Sequence, residues 1–253
     1  FMPELLSIKL APAWGRLACL CAWLCLGLAG PAWATDYVFP GRLPSSCSGN
    51  NGSYGCDTLR LAYGDTIAVA APKPATITVR GAFTTDGANR INAGGTAADL
   101  NLVVTDRLET GYDTRIVANI SAGSIRDSGG QSSFAGNLMS ATGDIQLGYA
   151  TTVNGNITAS SGKVLVGNAV TIVGSITGGS GDVALDYAAR ISGNITTSSG
   201  KVLVGNAVTI VGSITGGSGD VALDYAARIS GNITTSSGKV LVGNAVTIVG
   251  SIT

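Results

Sequence analysis

From Gly143 to Thr253 the chain repeats with a period of 19 residues, and within that period lies a 38-residue unit copied without a change. A 19-residue element is about one turn of a β-solenoid, a unit that cannot bury an apolar face alone and folds by stacking on its neighbours. The copies are 143–161, 162–180, 181–199, 200–218, 219–237 and a truncated 238–253. Residues 162–199 recur letter for letter as 200–237, and their first 16 residues recur again as 238–253, which points to recent duplication.

Written under one another, the copies give columns whose members lie about 4.8 Å apart on successive coils. Position 3 reads Ile145, Val164, Val183, Val202, Val221, Val240; position 5 alternates Leu and Val from Leu147 to Val242. Position 11 holds Val153 and then Ile through Ile248, and position 15 is Ile from Ile157 to Ile252. These four columns are the expected core. Alternation of 3 with 5 and of 13 with 15, filled by β-branched residues, argues strands rather than helix. Position 13 is invariant glycine, Gly155 to Gly250, which suits a corner with positive φ or a wall close to its neighbour. Position 2 runs Asp144, Lys163, Asp182, Lys201, Asp220, Lys239. Opposite charges over one another stabilise by roughly 0.2–1 kcal/mol, and like charges in register would repel.

Upstream the pattern fades. Residues 112–124 align with 149–161, and 134–142 with 153–161, so 105–142 reads as degenerate rungs. Alternating runs at Thr66–Val69, Ala75–Val79 and 100–104, punctuated by Pro72, Pro74 and glycines, make 35–104 an N-terminal β cap. Lys9 and Arg16 precede an apolar run over 17–30, then Pro31 and Ala32-Trp33-Ala34, the layout of a secretory signal peptide over 2–34. Cys19, Cys21 and Cys25 leave with that signal, and Cys47 and Cys56 remain around a flexible Ser/Gly/Asn loop, so a disulfide between them is expected in an oxidising compartment.

No histidine occurs, which removes the commonest general base and the usual zinc ligand sets. Catalysis would fall to carboxylates, yet the chain has two glutamates, one of them in the signal, and its candidate pairs Asp182/Asp186 and Asp220/Asp224 are copies of each other. Such copies read as solvent-facing turns, and neither enzyme activity nor a cofactor is expected. Gly178-Gly179-Ser180-Gly181-Asp182 is similar to a calcium-binding nonapeptide, but its aspartate comes one residue early and recurs every 38 residues, so a turn is the better reading. Asn-x-Ser/Thr triplets at Asn119, Asn156, Asn194 and Asn232 fit a side-chain ladder or glycosylation acceptors.

Function is left to exposed columns. Tyr149, Tyr187 and Tyr225 alternate with Asn168, Asn206 and Asn244, and Arg190 and Arg228 lie three residues beyond the last two tyrosines, an arrangement suited to surface glycans. Threonines at position 16 beside Asn or Ser at position 14 form a flat small-polar face of the kind that binds ice. Without Glu4, Lys9 and Arg16 the chain carries 13 basic and 14 acidic residues and no basic stripe, which argues against nucleic acid.

The segments Asp36-Tyr37-Val38-Phe39-Pro40-Gly41, the 47–56 loop, Tyr63-Gly64-Asp65-Thr66, 73–79, Ile91-Asn92-Ala93-Gly94-Gly95 and Leu102-Val103-Val104-Thr105, with Gly-Asn-Ile-Thr in the repeats, carry a resemblance. Here the chain is similar to MshQ-type proteins encoded with the mannose-sensitive haemagglutinin type IV pilus. The resemblance implies a large exported protein associated with such a pilus, with later domains beyond Thr253, and transfers no functional residue.

The expectation is therefore an all-β, single-stranded β-solenoid of the commoner right hand, with a disulfide-bridged cap, over 143–253. It would serve as a non-catalytic stalk in the periplasm, at the outer-membrane surface or outside the cell, with pilus or outer-membrane components as partners. A glycan-binding adhesin using the Tyr/Arg columns and a polysaccharide-cleaving enzyme using Asp182 and Asp220 are the alternatives. The raw edge at Thr253 is expected to self-associate.

Overall fold

The computed structural model describes residues 34–253. The expected signal peptide lies, Ala34 apart, outside the described residues. The described chain winds into a parallel β-solenoid of three faces. The coil 162–180 shows the plan: Val164–Val166 on the first face, Thr171–Ile172 on the second and Ile176–Gly178 on the third. Each strand pairs in parallel with its equivalents one coil before and after, Val164 with Ile145 and Val183, Ile172 with Val153 and Ile191, Ile176 with Ile157 and Ile195. The second face is an unbroken sheet of 11 strands. The other two faces merge where the strands Leu100–Thr110 and Asn119–Asp127 run around the corner between them.

Lysine therefore lies over aspartate, not over lysine. The backbone N–H of Lys163 donates to Asp144 Oδ1 at 2.8 Å, and Lys201 and Lys239 donate likewise to Asp182 and Asp220 at 2.9 Å. Lys163 Nζ stands 4.0 Å from Asp182 Oδ2. The aspartates thus act chiefly as acceptors for the next coil's amide, and the exposed Lys163–Asp182 pair adds the roughly 0–1 kcal/mol of a surface pair. Position 14 forms a second ladder. Asn156 Oδ1 accepts the Ser175 N–H at 2.9 Å, Ser175 Oγ accepts that of Asn194 at 3.1 Å, and Asn194 Oδ1 that of Ser213 at 2.8 Å.

The core is wider than the four expected columns. Position 9 is buried too, as Val170, Ala189, Val208 and Ala227, and so is position 17, where Ala159 and Thr197 alternate with Gly178. The alternation on the third face is accordingly 15 with 17, because position 13 precedes the strand rather than belonging to it. In the last coil Val240, Val246 and Ile248 are partly buried against the core, while Val242 and Ile252 are about half exposed.

Of the two roles open to the position-13 glycines, close approach is the one realised. A Cβ on Gly193 would stand 2.5 Å from the Gly174 carbonyl and from Ser175 Oγ. Positive φ falls instead at position 8, on Ala150, Ala169, Ala188, Ala207, Ala226 and Ala245.

Parallel stacking begins well before residue 105. β1 (Asp36–Phe39), β2 (Cys47–Asn50), β3 (Ser53–Cys56), β4 (Leu59–Leu61) and β5 (Thr66–Val69) are the first strands of the described residues. β3, β4 and β5 already form a coil, pairing in parallel with Ala75–Val79, Phe83–Thr85 and Arg90–Ile91. Much of the segment expected to be a separate cap is therefore solenoid. Its coils are longer: 24 residues separate Thr66 from its partner Arg90, and 25 separate Arg90 from Arg115, against 19 from Ser133 to Thr152. The extra length sits at a corner that includes the 3₁₀ turn Ala97–Asp99, where Asn92 Nδ2 donates to the carbonyls of Thr96 and Val117 at 3.0 and 2.8 Å. The Thr96 backbone amide, and then the Lys73 ammonium, hold the Asp99 carboxyl below its ordinary value.

The capping itself falls to β1 and β2. β2 lies antiparallel on β3, with Cys47 opposite Cys56 and the two joined as a disulfide. Phe39 meets Tyr54 edge to face with ring centroids 4.9 Å apart, closing the apolar interior beneath the hairpin. An antiparallel strand on the first parallel edge of the third face covers its unpaired groups.

Candidate functional site

The corner between the first and second faces carries the exposed aromatic residues. It is a tight turn of positions 6–9, in which position 7 points outward, position 8 takes positive φ and position 9 turns into the core. Tyr149, Tyr187 and Tyr225 stand at position 7, about 60% exposed. Two further tyrosines join them. The Gly64 N–H donates to the Gly87 carbonyl, Ala88 to Tyr112, Asp113 to Gly130, Gln131 to Tyr149, and Ala150 to Asn168, each step passing to the next coil. The same bonds continue from Ala169 to Tyr187, Ala188 to Asn206, and Ala207 to Tyr225. Down the column the order is thus Tyr63, Gly87, Tyr112, Gly130, Tyr149, Asn168, Tyr187, Asn206, Tyr225, Asn244, a tyrosine on every second coil with glycine or asparagine between.

Sequence reasoning missed Tyr63 because the long coils put it out of the 19-residue register; the alignment of 112–124 with 149–161 sets Tyr112 on Tyr149, but the degenerate coil between them hid its place in the exposed column. A local signal was present: Tyr, then Thr or Arg three residues on, then Ile or Val, as Tyr63-Gly-Asp-Thr66-Ile67, Tyr112-Asp-Thr-Arg115-Ile116 and Tyr187-Ala-Ala-Arg190-Ile191.

Two contacts describe how the rings lie. The Tyr112 hydroxyl donates to Gln131 Oε1 at 2.8 Å, one coil further on, and Tyr63 Cδ2 lies 3.5 Å from where Gly87 would carry a Cβ. Both rings therefore lean along the solenoid axis over the intervening coil. Arg190 and Arg228 begin the second-face strands beyond the same corners, exposed and outward, and Asp186 and Asp224 precede the tyrosines, also exposed. Each tyrosine of the regular coils at 187 and 225 thus has a carboxylate on one flank and a guanidinium on the other.

The first face offers a shallow groove at Leu203, between Ala184 and Ala222 and rimmed by Asp186 and Asp224. Asp182 and Asp186, the carboxylates considered for catalysis, stand at opposite ends of Val183–Leu185, and Asp182 is already the acceptor for the Lys201 amide. The glycine-rich 178–181 segment is the corner between the third and first faces, with Asp182 in that ladder. Among the described residues no three His, Cys, Asp or Glu side chains group as a metal site, and no helix is long and apolar enough to cross a membrane.

Two buried carboxylates are both occupied structurally. Asp65 accepts the backbone N–H groups of Thr35 and Ala62 at 2.6 and 2.9 Å, which pins the segment before β1 to the first corner. Asp127, at position 5 of a degenerate coil, receives Thr110 Oγ1 and Ser132 Oγ at 2.9 Å on Oδ1, and the Gly148 N–H at 3.3 Å together with Thr151 Oγ1 on Oδ2. Hydroxyls from its own and neighbouring coils satisfy it, as a buried polar group requires, and its role is to tie those coils together. No family model, no curated protein sequence and no solved structure matches this chain.

Proposed function

We propose that the protein is a non-catalytic structural stalk exported to the bacterial surface, acting as a spacer in association with a type IV pilus of the mannose-sensitive haemagglutinin kind. The observation that carries the spacer role is the continuous 11-stranded sheet, which runs from the divergent coils through the copied 38-residue units. In such a stack reach is proportional to coil number, and no coil within the duplicated part differs chemically from its copy. The pilus association rests on the resemblance of the 36–105 segments and the repeats to MshQ-type proteins, and export on the signal-like 2–34 segment and the cysteine pair. Its partners on this reading are pilus or outer-membrane components.

The test is deletion of 200–237, which removes one 38-residue unit and no unique residue. The rod should shorten by about 10 Å, two coils at roughly 4.8 Å each, in small-angle scattering, with unchanged cross-section. Surface function in the producing bacterium should decline in step with length and return when the unit is restored or doubled. Function insensitive to the number of units would overturn the spacer reading.

A further inference from the structure

The column of tyrosines has a periodicity that a spacer does not need. Single exposed aromatics are ordinary, but five of them in one line, half to two-thirds exposed, form a continuing surface feature. Their spacing is two coils, about 10 Å. The side chains of Tyr63 and Tyr112 reach along the axis over the next coil, and the residue between successive rings is glycine or asparagine, too small to interrupt a ligand laid along the row.

We infer that this row binds one extended, neutral, β-1,4-linked pyranose chain lying parallel to the solenoid axis. A pyranose ring with equatorial hydroxyls has an apolar C–H face that stacks on an aromatic side chain and a rim of hydroxyls that both donate and accept. In an extended β-1,4-linked chain alternate sugars turn the same face to the same side, so the repeat is a disaccharide, close to the length of two coils. Every second sugar then stacks on a tyrosine. The sugar between meets the amide of Asn168 or Asn206, which supplies one acceptor and two donors. Asp186 and Arg190 flank Tyr187, and Asp224 and Arg228 flank Tyr225, as further partners for hydroxyls; their opposite charges select a neutral chain over an anionic one. The inference goes beyond the spacer role and stands apart from it, since loss of glycan binding would leave rod length untouched.

The test titrates the full chain with cellohexaose, chitohexaose, cellobiose and maltohexaose by calorimetry. Cellohexaose or chitohexaose should bind, and cellobiose, which reaches a single ring, should bind at least about tenfold more weakly, through loss of linked contacts. Maltohexaose, whose α-1,4 linkages curve the chain away from a straight row, should not bind. Tyr187→Ala should weaken hexaose binding about fivefold to tenfold and Tyr187→Ala/Tyr225→Ala by more, while Tyr187→Phe keeps most of it because the ring is retained. Circular dichroism on each variant reports that the exposed substitution leaves the fold intact. Failure of both β-1,4 hexaoses to bind, equal binding of maltohexaose, or indifference to loss of Tyr187 and Tyr225 would each overturn the inference.

Discussion

At position 8 every regular coil places an alanine in the left-handed region, with φ between 55 and 59° from Ala150 to Ala245. For an L-residue that conformation costs roughly 1–2 kcal/mol, more than the 0.5–1 kcal/mol or so of extra chain entropy that glycine loses on folding. Ala188→Gly should therefore stabilise the protein by up to about 1 kcal/mol, seen as a higher urea midpoint. Gly193→Ala should act in the opposite sense. Its Cβ would press on the Gly174 carbonyl and Ser175 Oγ, and relieving such overpacking typically costs about 1–3 kcal/mol. A lower midpoint for Ala188→Gly, or an unchanged one for Gly193→Ala, would contradict these assignments. The invariant glycine column is plain in the sequence, but which of its two physical reasons applies is not, because a glycine is equally suited to a strained φ and to a close wall. The strained residue hides as an alanine, whose small side chain gives no pattern of its own.

A single coil comes in two versions, and the difference between them explains why the copied unit is two coils long. In 162–180 the interior positions 5, 9 and 17 are Val166, Val170 and Gly178; in 181–199 they are Leu185, Ala189 and Thr197. Around the first corner a Val/Val pair alternates with Leu/Ala, nearly conserving volume within each coil. At position 17 the missing side chain of Gly178 leaves room that the Thr197 methyl approaches, a Cβ there standing 3.2 Å from Thr197 Cγ2. The Thr197 hydroxyl is satisfied by the Gly200 carbonyl at 2.9 Å. Ala189→Val alone should destabilise by about 1–3 kcal/mol through overpacking, and Leu185→Val added to it should recover most of the loss. A double-mutant cycle in thermal melts reads the coupling directly, and additive losses would refute the compensation. Strand positions are legible at this scale: alternation alone marks Thr66–Val69 and Ala75–Val79, and both are strands in the structure. Their stacking is not, since corner insertions stretch those coils beyond 19 residues and break the column alignment on which register depends. For the same reason Tyr63 escapes notice beside Tyr149, Tyr187 and Tyr225.

At the scale of the molecule the backbone bonds between coils all point along the rod, as in the Thr171 N–H to Thr151 carbonyl and the Thr209 N–H to Ala189 carbonyl, both 2.9 Å. A load applied along that axis does not shear whole sheets past one another. It peels one coil at a time, opening a few bonds in sequence. Each regular coil freed releases 19 residues, about 60 Å of extended chain, in place of about 4.8 Å of folded rod. Pulled from its ends in an optical trap, the protein should lengthen in a series of nearly equal low-force steps of about that size, and a single high-force rupture would contradict the picture. The Cys47–Cys56 bridge withholds only the short hairpin from this extension. On that expectation a stack of duplicated coils would also serve as a shock absorber, letting out slack one turn at a time under drag and winding it back when the tension falls.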